Sequence, residues 1–428
     1  MAIRKAFVMV QLVKILNLLI FILFFCFYAY QFGYVLVRFF KKMPEIDAKK
    51  LHKYAVLIAA RNESAVIGEL LESIKAQNYP RELVDIYVVA DNCTDDTAEI
   101  AHRNGATVIE RSNLCRIGKG YALNYAFRHI KNTCGIEFYD GYIVFDADNI
   151  LHPDFIKEIN AVFDSGYRVV TSYRNSKNYG YNWISAGYAL WFLRESKYLN
   201  GARMLCNSSC AISGTGFLVS SEIIKRDGGW NYSLLTEDIE FTIAKVIEGE
   251  VIGYAEKAIT YDEQPVKFKP SWDQRMRWTK GFYQVMYRYG LKLFRGCFSK
   301  NGFRCYDMLA TIAPATLLSI SMLIVNITSV LYGLNMGYPE LIETALLEVW
   351  YAFRNIYLSL FFFGCVTLVT EWKQIYCSAL KKVLYAFTFP IFMFTYLPIA
   401  VAAIFKYKRV TWKPIKHSFV GTMSLARR

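Results

Sequence analysis

From Ile15 to Val37 the chain reads ILNLLIFILFFCFYAYQFGYVLV, an uncharged run long enough to cross a bilayer as a helix. A second apolar tract fills most of the chain after Tyr306, and the stretch between them has the polarity of an ordinary α/β protein. This distribution points to a soluble domain held between membrane segments. Hydrophobic residues make up 54% of the 428 and charged residues only 20%, which argues against a chain of soluble domains throughout. A cleaved signal peptide would be shorter and would end at small residues. RFFKK (Arg38 to Lys42) follows here instead, so the run reads as a retained anchor. Arg38, Lys41 and Lys42 put its far end in the cytosol, against a weaker pull from Arg4, Lys5 and Lys14.

The formal charge of +14 could suggest nucleic acid, but the cations gather beside the apolar runs, in RFFKK and in KYKRVTWKPIK (Lys406 to Lys416). Anionic lipid is the simpler partner, and no nucleic-acid binding is expected. The ten cysteines show neither CxxC pairs nor metal-ligand spacing and read as free thiols in a reducing compartment, which places the soluble part in the cytosol.

From Tyr54 the pattern alternates between strand and helix. YAVLIAA (Tyr54 to Ala60), VDIYVVAD, ATVIE and GYIVFDAD are strand-like, and AVIGELLESIKAQ, DDTAEIAHRNG and GKGYALNYAFRHI are helical. Apolar strands separated by helices predict a parallel sheet buried on both faces, with ligands beyond the carboxyl ends of the strands. After Trp278, GFYQVMYRYGLKLF has the aromatic and basic faces of an interfacial helix. Met308 to Gly333 and Ile356 to Val369 read as spans, joined by LNMGYPELIE, which lacks Lys and Arg and is expected outside. Val383 to Phe405 carries Pro390 and Pro398 and reads either as a crossing or as a re-entrant or interfacial segment. The expected organisation is a membrane helix (1–40), a cytosolic domain (41–282), an interfacial helix (283–305), membrane helices (306–405) and a basic tail (406–428).

Polar clusters stand where the strands end. ARNES (Ala60 to Ser64) closes the first, and ADNCTDDT closes the second, with Asp91 at its tip and Thr94 or Asp95 able to cap the next helix. FDADN places Asp146 and Asp148 two apart, on one side of an extended chain, where a divalent cation would relieve their repulsion; an isolated pair of this kind can equally be a polar turn. LTEDIEF offers Thr236 as an N-cap, with Glu237 and Asp238 in the first turn, where acids also favour the helix dipole. In SWDQRMRWTKG (Ser271 to Gly281), Gln274 and Arg277 lie one helical turn apart and face the same way. GKG is no P-loop, yet Lys119 could meet a phosphate.

Taken in order, ARNES, ADNCTDDT, GKGYALN, FDADN, SGTGF, LTEDIEF and QRMRW resemble the processive family 2 glycosyltransferases, which include cellulose, hyaluronan, chitin and poly-N-acetylglucosamine synthases. The resemblance runs from about Tyr54 to Phe282, and TED followed by QRxRW is its most specific part. It implies a GT-A-like α/β nucleotide-diphospho-sugar transferase domain inserted between transmembrane helices, on the cytosolic face of the plasma membrane. By that resemblance Ala60, Arg61, Glu63 and Asp91 hold the uridine with Lys119 nearby, Asp146 contacts the nucleotide, and Asp148 coordinates Mg²⁺ or Mn²⁺. Asp238 is the general base, and Gln274, Arg275 and Arg277 line the diphosphate side. Glu237, Gly214, Thr215 and Trp278 meet the acceptor, and TWKPIKH (Thr411 to His417) loosely resembles a gating segment.

The implied reaction is inverting transfer from a UDP-sugar to a growing polysaccharide that crosses the bilayer. UDP-glucose and a β-glucan with 1,4 and/or 1,3 linkages are favoured. A UDP-N-acetylglucosamine polymerase, or a non-processive transferase acting on a lipid carrier, is the alternative. The former differs at one ring substituent, and the latter is expected to lack QRxRW. A catalytically silent scaffold would tolerate loss of Asp238, whereas all the candidate acids are present.

Overall fold

The computed structural model describes residues 2–313 and 315–406, so the TWKPIKH segment lies outside the described residues. The chain opens with α1 (Ala2–Tyr28) and α2 (Tyr30–Phe40). The domain that follows contains β1 (Tyr54–Ala60), α3 (Ile67–Lys75), β2 (Val84–Asp91), α4 (Thr97–Arg103), β3 (Thr107–Arg111), α5 (Lys119–Thr133) and β4 (Gly141–Asp146). It continues through β5 (Ile150–Leu151), α6 (Phe155–Asp164), β6 (Val169–Ser176), α7 (Trp183–Arg194), α8 (Gly201–Leu205), β7 (Phe217–Ser220) and α9 (Ser221–Arg226). The last elements of this part are α10 (Glu237–Ile247), β8 (Ile252–Asp262), α11 (Phe268–Gly296) and α12 (Gly302–Ile312). Four helices close the described chain: α13 (Ala315–Met336), α14 (Pro339–Thr370), α15 (Ala379–Phe394) and α16 (Tyr396–Lys406).

The eight strands form one sheet in the order β3-β2-β1-β4-β7-β6-β8-β5. The first half is parallel, as the apolar strands predict. The sheet as a whole is mixed, because β7 runs antiparallel to both β4 and β6. Val56, Ile58, Ile143 and Val144 are fully buried, so both faces are covered: neighbouring residues on one strand point to opposite faces, and neither face reaches water.

Among the described residues, four stretches are long and apolar enough to cross a membrane: Arg4–Phe40, Ala315–Met336, Pro339–Thr370 and Ala379–Lys406. The expected loop LNMGYPELIE is mostly helix. Gly337 (φ 66) makes the turn, and Pro339 starts α14, its fixed φ suiting the first helical position. Ala379–Lys406 bends at Thr395 and stays against the domain: Phe392 packs over Gly187 of α7, and Tyr283 of α11 donates to the Ala400 carbonyl at 3.3 Å. The expected break between domain and interfacial helix falls inside α11, which runs unbroken from Phe268 to Gly296.

Two buried centres fasten the N-terminal helices. Arg203 of α8 reaches Asp307 of α12 through two hydrogen bonds of 2.8 and 2.7 Å, and Tyr30 and Tyr34 of α2 donate to the same carboxylate at 2.8 and 2.6 Å. Between α1 and α13, Asn17 and Asn326 exchange side-chain hydrogen bonds of 3.1 and 2.8 Å.

Candidate active site

β1, β2 and β4 end in register, with Ala59 beside Asp146 and Ala60 beside Ala90, so the residues beyond them share one edge. Asn62 (φ 57) and Asn92 (φ 55) turn the chain through the left-handed region that asparagine tolerates. The two loops are tied together: Thr94 N–H donates to Asn62 Oδ1 (2.8 Å), Glu63 N–H to Thr97 Oγ1 (2.8 Å) and Ser64 N–H to Asp95 Oδ2 (3.1 Å). Asp95 therefore anchors the loop and also caps α4, its Oδ1 accepting from Thr97 N–H at 3.2 Å, while Asp96 takes the N-cap position without a side-chain cap and Thr94 does not cap. Ala60, Arg61, Glu63 and Asp91 line a cavity of about 2200 Å³. Asp91 pairs with Arg111; burial pushes its carboxyl up and Arg111 draws it back.

At the centre of the edge, Lys119 Nζ donates to Asp146 Oδ1 (2.5 Å) and to the Gly214 carbonyl (2.7 Å). Burial opposes the lysine's charge, but Asp146, Glu237 and Asp238 outweigh it and raise its pKa. Asp146 is disfavoured as an anion by burial, yet Lys119, Arg174 and Arg277 hold it below the ordinary carboxylate range. Gly214 (φ 81) sits where a Cβ would lie 3.7 Å from Arg174 Nη1, 3.8 Å from Asp238 Oδ2 and 4.0 Å from Asp146 Oδ2. The glycine provides the left-handed turn and leaves the space between these charges open.

Asp148 lies in the turn just beyond β4 rather than on the strand beside Asp146. Its Oδ2 accepts from Glu263 N–H at 3.2 Å and its Oδ1 from Asn149 Nδ2 at 3.3 Å. Asp262, at the end of β8, is bound by Arg174 Nε at 2.7 Å and Gln264 Nε2 at 2.6 Å; burial raises its pKa, Arg174 lowers it, and Asp148 raises it. No group of three acidic, histidine or cysteine side chains forms a metal cage among the described residues. A hard divalent ion that completes its shell with diphosphate oxygens and water needs only one or two carboxylates, so Asp148 with Asp262 behind it fits Mg²⁺ or Mn²⁺.

Glu237 and Asp238 open α10 and line the cavity. Burial, then the Asp238 charge, pushes Glu237 up to about 7, and burial likewise raises Asp238. Thr236 occupies the N-cap position without capping. It is buried against α11, where a Cβ on Gly281 would come within 2.5 Å of its side chain. Gln274, Arg277 and Trp278 all line the cavity, and Trp278 packs edge-on to Tyr188 and Phe192.

Two expected residues lie elsewhere. Arg275 is fully buried on the opposite side of α11, where it donates to Thr395 Oγ1 (2.5 Å) and the Phe392 carbonyl (3.3 Å), with its guanidinium 4.5 Å from the Phe392 ring centre. It lies about 160° round the helix from Arg277, so it meets the membrane-side helices instead of the diphosphate side. Thr215 is buried behind the cavity wall, accepting from Asp146 N–H at 2.9 Å and donating to Asn149, and it sets the loop instead of meeting the acceptor.

The sequence reading passed over Arg174, Asp262 and Glu195, all on the cavity wall. Arg174 and Asp262 sit near the carboxyl ends of β6 and β8, but polar residues within both strands hide them from the strand-end rule. Glu195 follows an apolar helix with no such signal. The cavity continues from these charges past Trp278 and between α1, α13 and α14, reaching Phe21, Thr316 and Ser319.

Residues 52–281, more than half of the chain, match the family model described as glycosyltransferase like family 2. Similar curated proteins include the beta-monoglucosyldiacylglycerol synthase of Synechocystis sp. (26% identical over 235 residues, covering 54% of this chain and 47% of that protein). Another is the poly-beta-1,6-N-acetyl-D-glucosamine synthase of Staphylococcus aureus (25% over 260 residues, 58% of each chain). The chain thus spans about half the length of the curated relatives it matches. A mannosyltransferase from Pyrobaculum calidifontis, solved with GDP-Man and Mn²⁺, shares the fold with a TM-score of 0.53 at 17% identity, over 92% of this chain and 98% of that one. With a GT-A-like domain whose strand ends carry these acids and cations, the chain belongs to the family 2 glycosyltransferases.

Proposed function

We propose that the protein is a processive, inverting synthase that polymerises a UDP-hexose, with UDP-glucose favoured, into a β-linked polysaccharide and passes it across the plasma membrane, its catalytic domain facing the cytosol. One observation carries the reading: the cavity of about 2200 Å³ holds Asp146, Asp148 and Asp238 and continues between the long apolar helices. An acceptor that moves along it after each transfer needs no second exit.

Asp238 takes the proton of the attacking hydroxyl as that oxygen bonds to C1 of the donor sugar. The bond from C1 to the diphosphate breaks on the opposite face, and a single displacement inverts the α-linked donor to a β-glycoside, as in the single-displacement glycosidases. Lys119 and Arg277 face the departing diphosphate, and Asp146 orients Lys119. Asp148 would hold the divalent ion, whose contribution is neutralisation of the diphosphate charge. Trp278 offers its ring to the apolar face of the acceptor pyranose.

A second reading, transfer of one sugar to a lipid, draws support from the apolar wall formed by Leu18, Phe21, Leu323 and Ile356, and from the Synechocystis relative's name. The Staphylococcus relative's name supports N-acetylglucosamine as the alternative monomer. Membranes given labelled UDP-glucose or UDP-N-acetylglucosamine decide among these: label in material cleaved by linkage-specific β-glucanases supports the first reading, and label in the lipid extract supports the second. If neither donor enters polymer, or Asp238→Asn polymerises at the full rate, the synthase reading is wrong.

A further inference from the structure

Glu195 is a carboxyl group on the cavity wall to which the reaction described above gives no part. It opens a π-helical turn (Glu195–Asn200) that continues α7, a local widening that recurs at functional sites. Ser213, next to Gly214, donates to its Oε2 at 3.1 Å, and its other oxygen has no protein partner among the described residues and faces the cavity. Arg174, Arg194, Arg203 and Asp238 are charged groups that act on it; burial raises its pKa, and Arg174 opposes the rise. Arg174 lies with its guanidinium 3.6 Å from the Phe192 ring centre, and Phe192 meets Trp278 edge-on at 6.1 Å, so Glu195 stands beside the aromatic wall as well as the base.

We propose that Glu195 is a specificity-determining residue that accepts a hydrogen bond from a second hydroxyl of the acceptor while Asp238 takes the proton of the first. That oxygen is open to the cavity, so an acceptor hydroxyl that reaches it gains a charge-assisted hydrogen bond there, and a ligand without a second hydroxyl does not. A diacylglycerol has one hydroxyl, which the reaction consumes, and its chains offer no other donor. A sugar chain end has several within a few ångströms. The acceptor class is therefore a carbohydrate terminus. This inference rests on the synthase reading and sharpens it, because it separates the sugar acceptor from the lipid acceptor by a residue outside the recognised motifs.

The test uses the full chain in membranes, with labelled UDP-glucose and UDP-N-acetylglucosamine as donors and cellobiose and N,N′-diacetylchitobiose as acceptor probes. Glu195→Ala should raise the acceptor KM by at least about tenfold, the loss of one hydrogen bond to a charged group, and leave the donor KM unchanged. Glu195→Gln keeps one carbonyl oxygen and should recover most of the loss; Glu195→Leu, apolar and of similar volume, carries the alanine comparison if that variant does not fold. An acceptor KM within about twofold of wild type in the folded apolar variant overturns the role of Glu195 while leaving the synthase reading intact. If the wild-type chain elongates neither disaccharide and labels only lipid, both the synthase reading and this inference fall.

Discussion

Asp307→Ala should be the most damaging single change outside the cavity. The carboxylate is fully buried and takes four hydrogen bonds, two from Arg203 and one each from Tyr30 and Tyr34. Its removal leaves the Arg203 guanidinium, which is almost fully buried, with Thr311 Oγ1 (2.9 Å) and Asn200 Oδ1 (3.3 Å) as partners. Stranding one buried charge costs about 3–5 kcal/mol, and each of the two orphaned hydroxyls adds ~1 kcal/mol, so the total is about 5–7 kcal/mol. At roughly 2 °C per kcal/mol for a chain of this size, the apparent melting midpoint in detergent falls by about 10–14 °C. Fluorescence-detected size exclusion after a heating series measures it. The double variant Arg203→Met with Asp307→Leu removes both charges and should regain most of the loss, because two apolar groups of similar volume need no partners. A midpoint for Asp307→Ala within about 2 °C of wild type, or a double variant no better than the single, refutes this account of how the N-terminal helices are held.

Gly281→Ala should lower kcat by about a hundredfold with donor affinity preserved, because a Cβ 2.5 Å from Thr236 must displace the turn that carries Asp238; an unchanged kcat removes that coupling. The acid limb of kcat/KM should lie above the ordinary carboxylate range, since Asp238 must be ionised to act and burial raises its pKa. Glu237→Gln, which takes away one of the two charges, should move that limb to lower pH, and a limb that stays in place argues against the pair. Chelation of divalent ions should stop transfer, and Asp148→Ala should raise the Mg²⁺ or Mn²⁺ concentration needed; full turnover in excess chelator removes the metal role. Arg275→Gln should lower the melting midpoint and leave the donor KM unchanged, whereas a raised donor KM returns Arg275 to the diphosphate side.

The catalytic half of the sheet was legible because β1, β2 and β4 are apolar throughout, and a strand buried on both faces has little other way to be written. The strands β6, β7 and β8 were missed: VVTSYRNS mixes polar residues into its run, and the four residues of β7 are too few to show a period. Helical spacing put Gln274 and Arg277 on one face, and the QRxRW resemblance gave that face its role; both line the cavity. Arg275 was misplaced because an arginine beside them carries the same charge whichever way it points, and its direction is set by Phe392 and Thr395, more than a hundred residues away. Glu195 had no local signature, since its importance comes from Ser213 and Asp238 meeting it across the cavity.

α11 carries Arg277 and Trp278 at the chemistry and, five residues on from Trp278, Tyr283 against the Ala400 carbonyl. Each residue added to a helix turns everything beyond it by about 100°. A single insertion between Trp278 and Tyr283 would swing the tyrosine off α16 while leaving the motif intact, so this stretch can change its letters far more readily than its length. Differences in length between descendants of this chain should therefore collect at residues 297–301, where α11 has ended and α12 has not begun.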